Sequence, residues 1–456
     1  MADAGRVLVL GGGFGGVFTA LRLARRAPEL ALTLVARDPC FVFKPLLYDL
    51  LTGEVAPEEV ALPLAQVLAG SGIQLIEGEV VAIEPAARAA IVRTAAGEQR
   101  LEADALVIAL GAEPAYRELP GMAAHALAAA TLEDFLRLRV HLERMSARAA
   151  ALGTGASASA RIAGGAQVAE GGGTADAEGA GRPAEAERLR RVVICGAGPS
   201  GVEIACKVAA MELAVRPRVL LVEARGDVLP GFSEEIKHQA YLALRAAGVE
   251  LRLGSPVLGA DEHGIRLPGE HVPAGTVIWT AGQQPVGVVR GLSVPRSRDG
   301  RICVGATLEL PGQPAVFAIG DNARCTIEGA EAPPETAQVA VQQAAVAAHN
   351  VLARLRGGTL RSYRYYPLAE TLTLGRGQDV FHLLGLRLRG ELGYLARRCV
   401  YLARMPSWRH RARLAVRWGG ALVREAWRRA GRAVLAAAAR DGAAAAGAEQ
   451  GQAGAR

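Results

Sequence analysis

The chain of 456 residues is poor in aromatic side chains, which make up 4% of it although hydrophobic residues reach 51%. A binding surface rich in Trp or Phe is therefore not expected. The chain also lacks any run of about 18 consecutive apolar residues, so we do not expect a protein with several membrane-spanning helices. Leucine, isoleucine and valine are nevertheless abundant enough for several buried cores, which excludes a chain that is disordered throughout.

The cysteines also lack a pattern that would indicate chemistry. The six cysteines are scattered and form neither a CxxC pair nor a metal-binding spacing. Such usage is typical of a reducing compartment. We therefore expect no metal site.

The formal net charge of +7 is unevenly distributed. Between Arg387 and Arg440 there are 14 arginines and two acids, a local charge of +12 that leaves −5 for the rest of the chain. Apolar side chains alternate with these arginines, and the segment holds Trp408, Trp418 and Trp427. Such helices are typical of a protein lying on an anionic membrane surface. We predict that residues 385–441 bind such a membrane surface. The alternative is a solvated helix docked on the body of the protein. Nucleic-acid binding is not expected, because the segment is as apolar as it is basic and has no nucleic-acid motif.

Two segments repeat a strand, a glycine-rich turn and a helix. In each turn the first glycine permits the tight bend, the second lets the backbone approach a diphosphate, and the third allows close helix packing. The diphosphate would lie at the positive end of the helix. The sequence therefore predicts an α/β fold with two Rossmann-like dinucleotide-binding domains. The predicted turn residues are Gly11, Gly13, Phe14, Gly15 and Gly16 in the first unit and Gly196, Gly198 and Gly201 in the second.

The acidic residue after each turn helps to discriminate between nucleotides. Glu223 ends a strand 22 positions after Gly201, where a carboxylate would accept hydrogen bonds from ribose hydroxyls. This favours NADH over NADPH, whose phosphate would meet a like charge, although Arg225 could moderate the preference. In the first unit the corresponding residue is Ala36. Asp38 either substitutes for the missing acid or is a plain turn residue.

Residues 149–187 are rich in Gly, Ala, Ser and Glu and almost free of large apolar side chains. Such a segment cannot bury enough surface to offset its ordering entropy. We therefore predict a disordered insert there, preceded by a helix over 131–147, and a second disordered segment over 442–456.

Short motifs connect the chain to a known family. Residues 9–16, Phe-Lys-Pro-Leu-Leu-Tyr at 43–48, Val-Ile-Ala-Leu-Gly at 107–111 and Ile-Gly-Asp at 319–321 together resemble flavoprotein reductases with two dinucleotide domains. The run Ala-Gln-Val-Ala-Val-Gln-Gln at 337–343 resembles type II NAD(P)H:quinone oxidoreductases. Residues 370–375 and 393–406 are similar to the cyanobacterial and plastid branch, which reduces demethylphylloquinone, related naphthoquinones or plastoquinone. The resemblance covers residues 5–420 apart from the insert.

The resemblance implies an FAD domain formed by residues 1–148 and 301–384, with an NAD(P)H domain, residues 188–300, inserted in it. The diphosphate of FAD would lie at the first turn, Asp321 would accept from a ribitol hydroxyl, and Lys44 and Pro45 would lie along the isoalloxazine. Gly282 would pass near the nicotinamide in the second domain. The remaining residues expected at the cofactors are Val81, Gly111, Gly320 and Ala337, together with Asp38, Glu223 and the turn residues already given.

The resemblance also implies catalytic residues. Glu203 corresponds to the glutamate at the flavin–nicotinamide face, where a carboxylate would orient the nicotinamide or take part in proton transfer. Without the resemblance it would be a first-turn acid that complements the helix dipole. Gln338 and Gln342 are four residues apart and share a helix face, where their amides would donate to quinone oxygens. Without the resemblance they would be ordinary polar helix residues.

The expected activity is therefore hydride transfer from NADH or NADPH to FAD and two-electron reduction of a membrane quinone, without proton pumping. Disulfide reduction is not expected because Cys40 lacks a partner: the position that would complete a CxxxxC pair is Pro45. A flavin-based redox sensor and a soluble ferredoxin-type reductase are the alternatives.

We expect a peripheral protein on the cytoplasmic face of a plasma or thylakoid membrane, and the assignment allows a homodimer.

Overall fold

The computed structural model describes residues 5–116, 119–163, 175–326, 333–375, 377–383, 385–424 and 427. It separates into two units, Met1–Arg397 and Arg398–Arg456. The first unit contains all of the predicted cofactor and catalytic residues. The second contains the greater part of the basic segment.

The first part of the chain folds as alternating strands and short helices. Its elements are β1 (Arg6–Leu10), α1 (Phe14–Arg26), β2 (Ala31–Ala36), β3 (Cys40–Val42), a 3₁₀ helix (Lys44–Leu50), α2 (Pro57–Val60), β4 (Ala61–Pro63), α3 (Leu64–Val67), β5 (Gln74–Glu77), β6 (Glu79–Glu84), a 3₁₀ turn (Pro85–Ala87), β7 (Ala89–Thr94), β8 (Gly97–Glu102), β9 (Ala105–Ile108), β10 (Ala112–Pro114), α4 (Met122–His125) and β11 (Leu127–Ala128).

The middle part follows, and the chain then returns to the first domain. The middle elements are α5 (Leu132–Ala163), α6 (Ala175–Arg190), β12 (Arg191–Cys195), α7 (Pro199–Ala209), β13 (Arg218–Val222), α8 (Glu234–Ala247), β14 (Glu250–Arg252), β15 (Gly259–Asp261), β16 (Gly264–Leu267), β17 (Glu270–Pro273), β18 (Thr276–Trp279), β19 (Gln283–Pro285) and α9 (Gly287–Arg290). The last elements are β20 (Ile302–Val304), β21 (Glu309–Leu310), β22 (Gln313–Ala318), a 3₁₀ turn (Gly320–Asn322), β23 (Ala323–Cys325), α10 (Ala337–Arg356), β24 (Ala369–Leu372), β25 (Val380–Leu383), β26 (Leu386–Arg389) and α11 (Gly390–Arg404).

The first large sheet has the strand order β21-β22-β9-β1-β2-β5. Its neighbours run parallel except for the pair β21 and β22. Four successive side chains of β1, from Val7 to Leu10, are buried, as expected for a parallel strand that is covered on both faces. Helices α1 and α10 pack against each other beside this sheet.

The second large sheet has the order β11-β18-β12-β13-β14, with every neighbouring pair parallel. Its strands occur in the chain after β9 and before β22, yet β9 and β22 are neighbours in the first sheet. The second domain is therefore inserted in the first, which confirms the predicted fold class. The pairing of β11 with β18 begins this domain at Leu127, earlier than the predicted boundary at 188.

Residues 149–163 and 175–187, which belong to the predicted disordered insert, are helical in the structure. Helix α5 continues to Ala163, and α6 occupies Ala175–Arg190. Alanine favours helix strongly, and the two helices pack together through Met145, Ala149 and Leu189, which are buried in one cluster. These buried contacts lie at the two ends of the segment. Residues 164–174 lie outside the described part.

The end of the chain also differs from the prediction. The segment expected to be helical from 385 begins with β26, the last strand of an antiparallel sheet in the order β24-β25-β26. Helix α11 follows, and residues 408–424 are helical. Among the described residues, no helix has the length and hydropathy that crossing a membrane would need. Most of residues 425–441 and all of 442–456 lie outside the described part.

Candidate cofactor sites and active site

In the first glycine turn, a side chain would fit at Gly13 but not at Gly11 or Gly16. A Cβ atom on Gly11, whose φ is +116°, would lie 2.2 Å from the carbonyl oxygen of Ala109. A Cβ on Gly16 would lie 1.9 Å from the carbonyl oxygen of Gly11. A Cβ on Gly13 would meet nothing within 4 Å. Because Gly13 precedes the first residue of α1, this open space lies at the helix N-terminus, where free N–H groups can hold a diphosphate.

The second turn repeats this geometry. A Cβ on Gly201 would lie 1.8 Å from the carbonyl oxygen of Gly196, whereas one on Gly198 would meet nothing within 4 Å. The hydroxyl of Thr280 donates to the carbonyl oxygens of Cys195 and Gly196, each at 2.9 Å. Thr280 therefore fixes the turn from the neighbouring strand. The motif alone did not indicate it, because Thr280 lies far along the chain.

The residues at the carboxyl ends of β2 and β13 differ in their contacts with the glycine turns. Glu223 accepts from the backbone N–H of Ala197 at 2.7 Å and from that of Arg225 at 2.9 Å, so its carboxylate lies against the second turn. In the first domain Ala36 is buried. Asp38 is largely exposed and contacts Arg37 at 3.4 Å. Asp38 lies in the turn after β2, and its role at the ribose stays a prediction.

The carboxyl ends of β9 and β22 meet beside β1, and polar side chains join them. Asn322 accepts from the N–H of Gly111 at 3.0 Å, and its amide donates to the carbonyl oxygen of Ile108 at 3.2 Å. The side chain of Gln343 accepts from the N–H of Gly320 at 2.7 Å. Asp321 lies between these contacts and lines a small cavity. Asn322 and Gln343 were missed from the sequence, although each directly follows a residue that the motifs identified.

The other predicted FAD residues are spread over several elements. Lys44 and Pro45 begin the 3₁₀ helix Lys44–Leu50, where Lys44 is exposed. Val81 lies at an irregularity of β6, between the paired residues Val80 and Ala82, so its backbone groups are outside the regular ladder. Ala337 is the first residue of α10. Gly282 follows β18 with φ of +132°.

Glu203 is buried in the first turns of α7, with 7% of its surface exposed. Its Oε1 atom accepts from the backbone N–H of Thr373 at 2.8 Å. Burial raises the pKa of the Glu203 carboxyl to about 8, although Thr373 and Arg397 favour the charged form. An acid with such a pKa retains a proton at neutral pH and can exchange it.

Gln338 and Gln342 share a face of α10, as predicted, but their amides are hydrogen-bonded within the protein. Gln342 donates to the carbonyl oxygen of Tyr366 at 2.7 Å and accepts from its N–H at 3.1 Å. Gln338 accepts from the N–H of Ala369 at 3.2 Å and donates to the Tyr365 hydroxyl at 3.1 Å. The pair therefore holds the segment 365–369 against α10.

The cysteines are free and show no reactive pair. Burial raises the pKa of Cys195 and of Cys206 to about 12, and burial also raises that of Cys40. A thiol with a raised pKa forms little of the thiolate that redox chemistry requires. The described part of the chain holds no cluster of His, Cys, Asp or Glu suited to a metal ion.

The sequence model of the family "Pyridine nucleotide-disulphide oxidoreductase" matches residues 5–344. The inserted second domain and the two glycine turns lie within this range. The chain belongs to the pyridine nucleotide-disulphide oxidoreductase family.

Individual relatives narrow this assignment. The chain is 32% identical to the demethylphylloquinone reductase NdbB of Synechocystis sp., over 92% of this chain and 96% of that protein. It is 28% identical to the alternative NAD(P)H-ubiquinone oxidoreductase C1 of Arabidopsis thaliana, over 91% and 80% of the two chains. The solved structure of NDH2 from Plasmodium falciparum in complex with NADH shares the fold, with a TM-score of 0.74 and 16% identity over 89% and 96% of the chains. The predicted resemblance to type II NAD(P)H:quinone oxidoreductases is thereby confirmed.

The open space at Gly13 predicts a separation between folding and flavin binding. Gly13→Ala should leave the far-UV circular dichroism unchanged but weaken FAD binding at least about tenfold, because its methyl group enters the space needed by the diphosphate. Gly16→Ala should instead destabilise the fold, since its methyl group meets a carbonyl oxygen. Flavin absorbance per protein and thermal unfolding measure the two effects. Full flavin content in Gly13→Ala would contradict this placement.

The raised pKa of Glu203 predicts a dependence of stability on pH. Between the ordinary pKa of 4.5 and the native value of about 8, the unfolded chain has released a proton that the native chain retains. The free energy of unfolding should therefore fall as pH rises, by up to about 1.4 kcal/mol per pH unit from this group. Glu203→Gln removes that contribution, so its stability relative to the wild type should increase across this range.

Urea unfolding at several pH values measures this difference. Glu262→Gln is the matched control, because the Glu262 side chain is 77% exposed and its loss should leave the slope unchanged. A difference between Glu203→Gln and the wild type that does not vary with pH would show that Glu203 ionises normally.

Proposed function

We propose that the chain oxidises NADH or NADPH at a bound FAD and passes two electrons to a membrane naphthoquinone of the demethylphylloquinone type or to plastoquinone. The observation that carries the proposal is the 32% identity to a demethylphylloquinone reductase over 92% of the chain. The two glycine turns support it, because they leave space for two dinucleotides.

The first domain suits FAD. The N-terminus of α1 and the open space at Gly13 would take the diphosphate, and Asp321 would accept from the ribitol. Val81 would offer its backbone groups to the adenine. The missing acid at Ala36 costs one contact of about 1 kcal/mol, which is small beside a cofactor-sized interface. When bound, the flavin accepts a hydride from the nicotinamide and gives two electrons to the acceptor.

The second domain would hold the nicotinamide nucleotide. Its diphosphate would lie at Gly198, and Gly282 would pass near the nicotinamide. Glu223 presents a carboxylate at the end of β13, so NADH should be preferred, because the phosphate of NADPH would bring a second negative charge to this point. Arg225 would reduce the preference.

Glu203 would handle the proton that accompanies quinone reduction. Its carboxyl is buried, is fixed by the N–H of Thr373, and stays protonated at neutral pH because burial raises its pKa to about 8. A proton held at this position can be given to a nearby acceptor and replaced from solvent.

Gln338 and Gln342 would border the quinone. Their amides hold the segment 365–369 on α10, so they would act on the quinone either through this segment or by donating to a quinone oxygen in place of these hydrogen bonds. In both cases their loss should affect the quinone reaction more than the nicotinamide reaction.

The second unit would bind the membrane surface. Its helix over 408–424 exposes Trp408 and Val416, at 71% and 78%, and Trp427 beyond it is 77% exposed. Arg413 and Arg417 are also exposed on this helix. Arginines beside exposed tryptophan favour an anionic interface, and a quinone partitions into the same bilayer. A peripheral position on the cytoplasmic face, and a homodimer, stay predictions.

Two other functions remain distinguishable. A flavin-based redox sensor would have the same cofactor sites but little turnover. A ferredoxin-type reductase shares the fold, as shown by a ferredoxin reductase from Rhodopseudomonas palustris with a TM-score of 0.62 and 22% identity, but it would not need the exposed apolar residues of the second unit.

Anaerobic rapid-mixing kinetics test the proposed reaction. NADH should bleach the flavin absorbance, and a menadione-like naphthoquinone should restore it at the rate of steady-state turnover. Gln342→Ala should slow the second step by about tenfold or more and leave the first unchanged, whereas Gln99→Ala, at an exposed position of β8, should change neither. A colourless protein that does not take up FAD would refute the proposal. Turnover of only a few cycles per hour would favour the sensor.

Vesicle binding tests the membrane surface. Trp408→Ser and Val416→Ser should each weaken binding to anionic vesicles by roughly five- to thirtyfold, since each removes one exposed apolar side chain. Leu242→Ser is the control, because Leu242 is 49% exposed on α8, outside this unit. Sedimentation with vesicles at low and high salt gives the affinity. Equal binding of all variants would exclude this surface as the anchor.

A further inference from the structure

A chain of buried ion pairs runs from α7 to the C-terminal hairpin, which is formed by β24, β25 and the loop between them (residues 369–383). Lys207 lies one helical turn after Glu203, and its Nζ atom is 2.8 Å from Oδ1 of Asp49. The other oxygen of Asp49 is 3.1 Å from Nη1 of Arg397. The Nε atom of Arg397 donates to Oδ2 of Asp379 at 2.8 Å. Three distant stretches of sequence therefore meet through four charged side chains.

These four side chains are almost inaccessible to solvent. Lys207 and Arg397 expose 1% of their side chains, and Asp49 and Asp379 expose none. Lys207 also contacts Glu54 at 2.5 Å. Burial opposes the charge of Lys207, but Asp49 and Glu54 raise its pKa. Charges at this depth are costly unless paired, so the chain of ion pairs holds its members in one arrangement.

The same hairpin contacts Glu203 directly. Thr373 follows β24 and donates its N–H to Glu203, whereas Asp379 precedes β25 and binds Arg397. Helix α7 is thus joined to the hairpin twice, at Glu203 and through Lys207. Besides burial, the groups that act on the Glu203 carboxyl include the N–H of Thr373, the cation of Arg397, and the carboxylates of Asp49 and Asp379, and the Cys206 thiol also lies within its electrostatic reach.

We propose that Arg397 and Asp379 are positioning residues for the redox reaction, because their ion pair, joined to α7 through Asp49 and Lys207, holds the hairpin in place and sets part of the charge that surrounds the Glu203 carboxyl. Arg397 favours the carboxylate form of Glu203, and Asp379 favours the protonated form. Neither residue needs to touch a cofactor to have this effect. The inference rests on the proposed function, in which Glu203 handles a proton.

A purely structural junction makes a different prediction. Removing either partner would then loosen the hairpin and lower the activity in both variants. The titration midpoint of Glu203 would stay where it is in the wild type. An electrostatic positioning role instead predicts opposite shifts, because the two partners carry opposite charges. The sign of the shift therefore separates the two roles.

The experiment is an infrared titration of the FAD-loaded protein without NADH, with the Glu203 carboxyl band identified by its loss in Glu203→Gln. Arg397→Gln should raise the midpoint by roughly one pH unit, and Asp379→Asn should lower it by roughly the same amount. The midpoint of the double variant should return near that of the wild type. Arg397→Lys keeps the positive charge, so its midpoint should also lie near that of the wild type. If Arg397→Gln does not fold, Asp379→Asn and the double variant still give the sign.

The pH profile of kcat is the second measurement, and its midpoint should move with the infrared midpoint in each variant. Glu235→Gln is the matched control, because Glu235 pairs at a partly exposed position with Arg387 and Arg389 of β26, the strand next to this hairpin. It should leave both midpoints unchanged. Shifts of the same sign in Arg397→Gln and Asp379→Asn, or no shift in either, would overturn the inference.

The two proposals fail in different ways. A kcat profile that keeps its midpoint in Glu203→Gln would refute the proton role of Glu203 and leave the infrared result standing. A profile that loses its midpoint in Glu203→Gln, but does not respond to Arg397 or Asp379, would refute only the positioning role.

Discussion

Both nucleotide turns depend on one contact in which no side chain fits. In each, the glycine in the first turn of the helix lies against the carbonyl oxygen of the glycine that follows the strand, so that a Cβ would come within 1.9 Å at Gly16 and 1.8 Å at Gly201. This contact brings the helix close to its strand and directs its N-terminus to the edge of the sheet. The middle glycine then faces open space, which is what a diphosphate requires. The remaining cofactor residues follow because neighbouring parallel strands end at the same edge.

The candidate active site depends on a second constraint, which is the burial of charge where three segments meet. Asp49 comes from the first domain, Lys207 from the inserted domain, and Arg397 from the C-terminal part. Exposed ion pairs contribute little to stability because water screens them. Water does not screen these buried charges, so each depends on its partners. Burial in the same region favours the uncharged form of Glu203. The environment that fixes α7 also adjusts the proton affinity of its acid.

The basic segment does not act as one surface. By sequence its arginines look alike, but Arg387 and Arg389 bind Glu235 and Arg397 is buried between two aspartates. In the second unit, Arg398 stacks on Trp418, with 4.3 Å between the guanidinium carbon and the ring centre. The charge available to an anionic membrane is therefore smaller than the local +12 of the sequence. Among the described residues of the second unit, the exposed side chains include Trp408, Arg413, Val416 and Arg417.

Local patterns determined the fold class, the two nucleotide turns and the family of this protein, because strand periodicity and glycine spacing act over a few residues and reflect backbone geometry. The roles expected for Glu203, Gln338 and Gln342 came from the resemblance to the family, because by local pattern they are ordinary polar residues of a helix. Local patterns could not show that the amides of Gln338 and Gln342 are hydrogen-bonded to segment 365–369, that Met145 and Leu189 are buried in one cluster, or that Arg397 is buried beside Asp49. Each of these depends on contacts between residues far apart in the chain, and only the tertiary structure decides which distant groups meet and which lose their water.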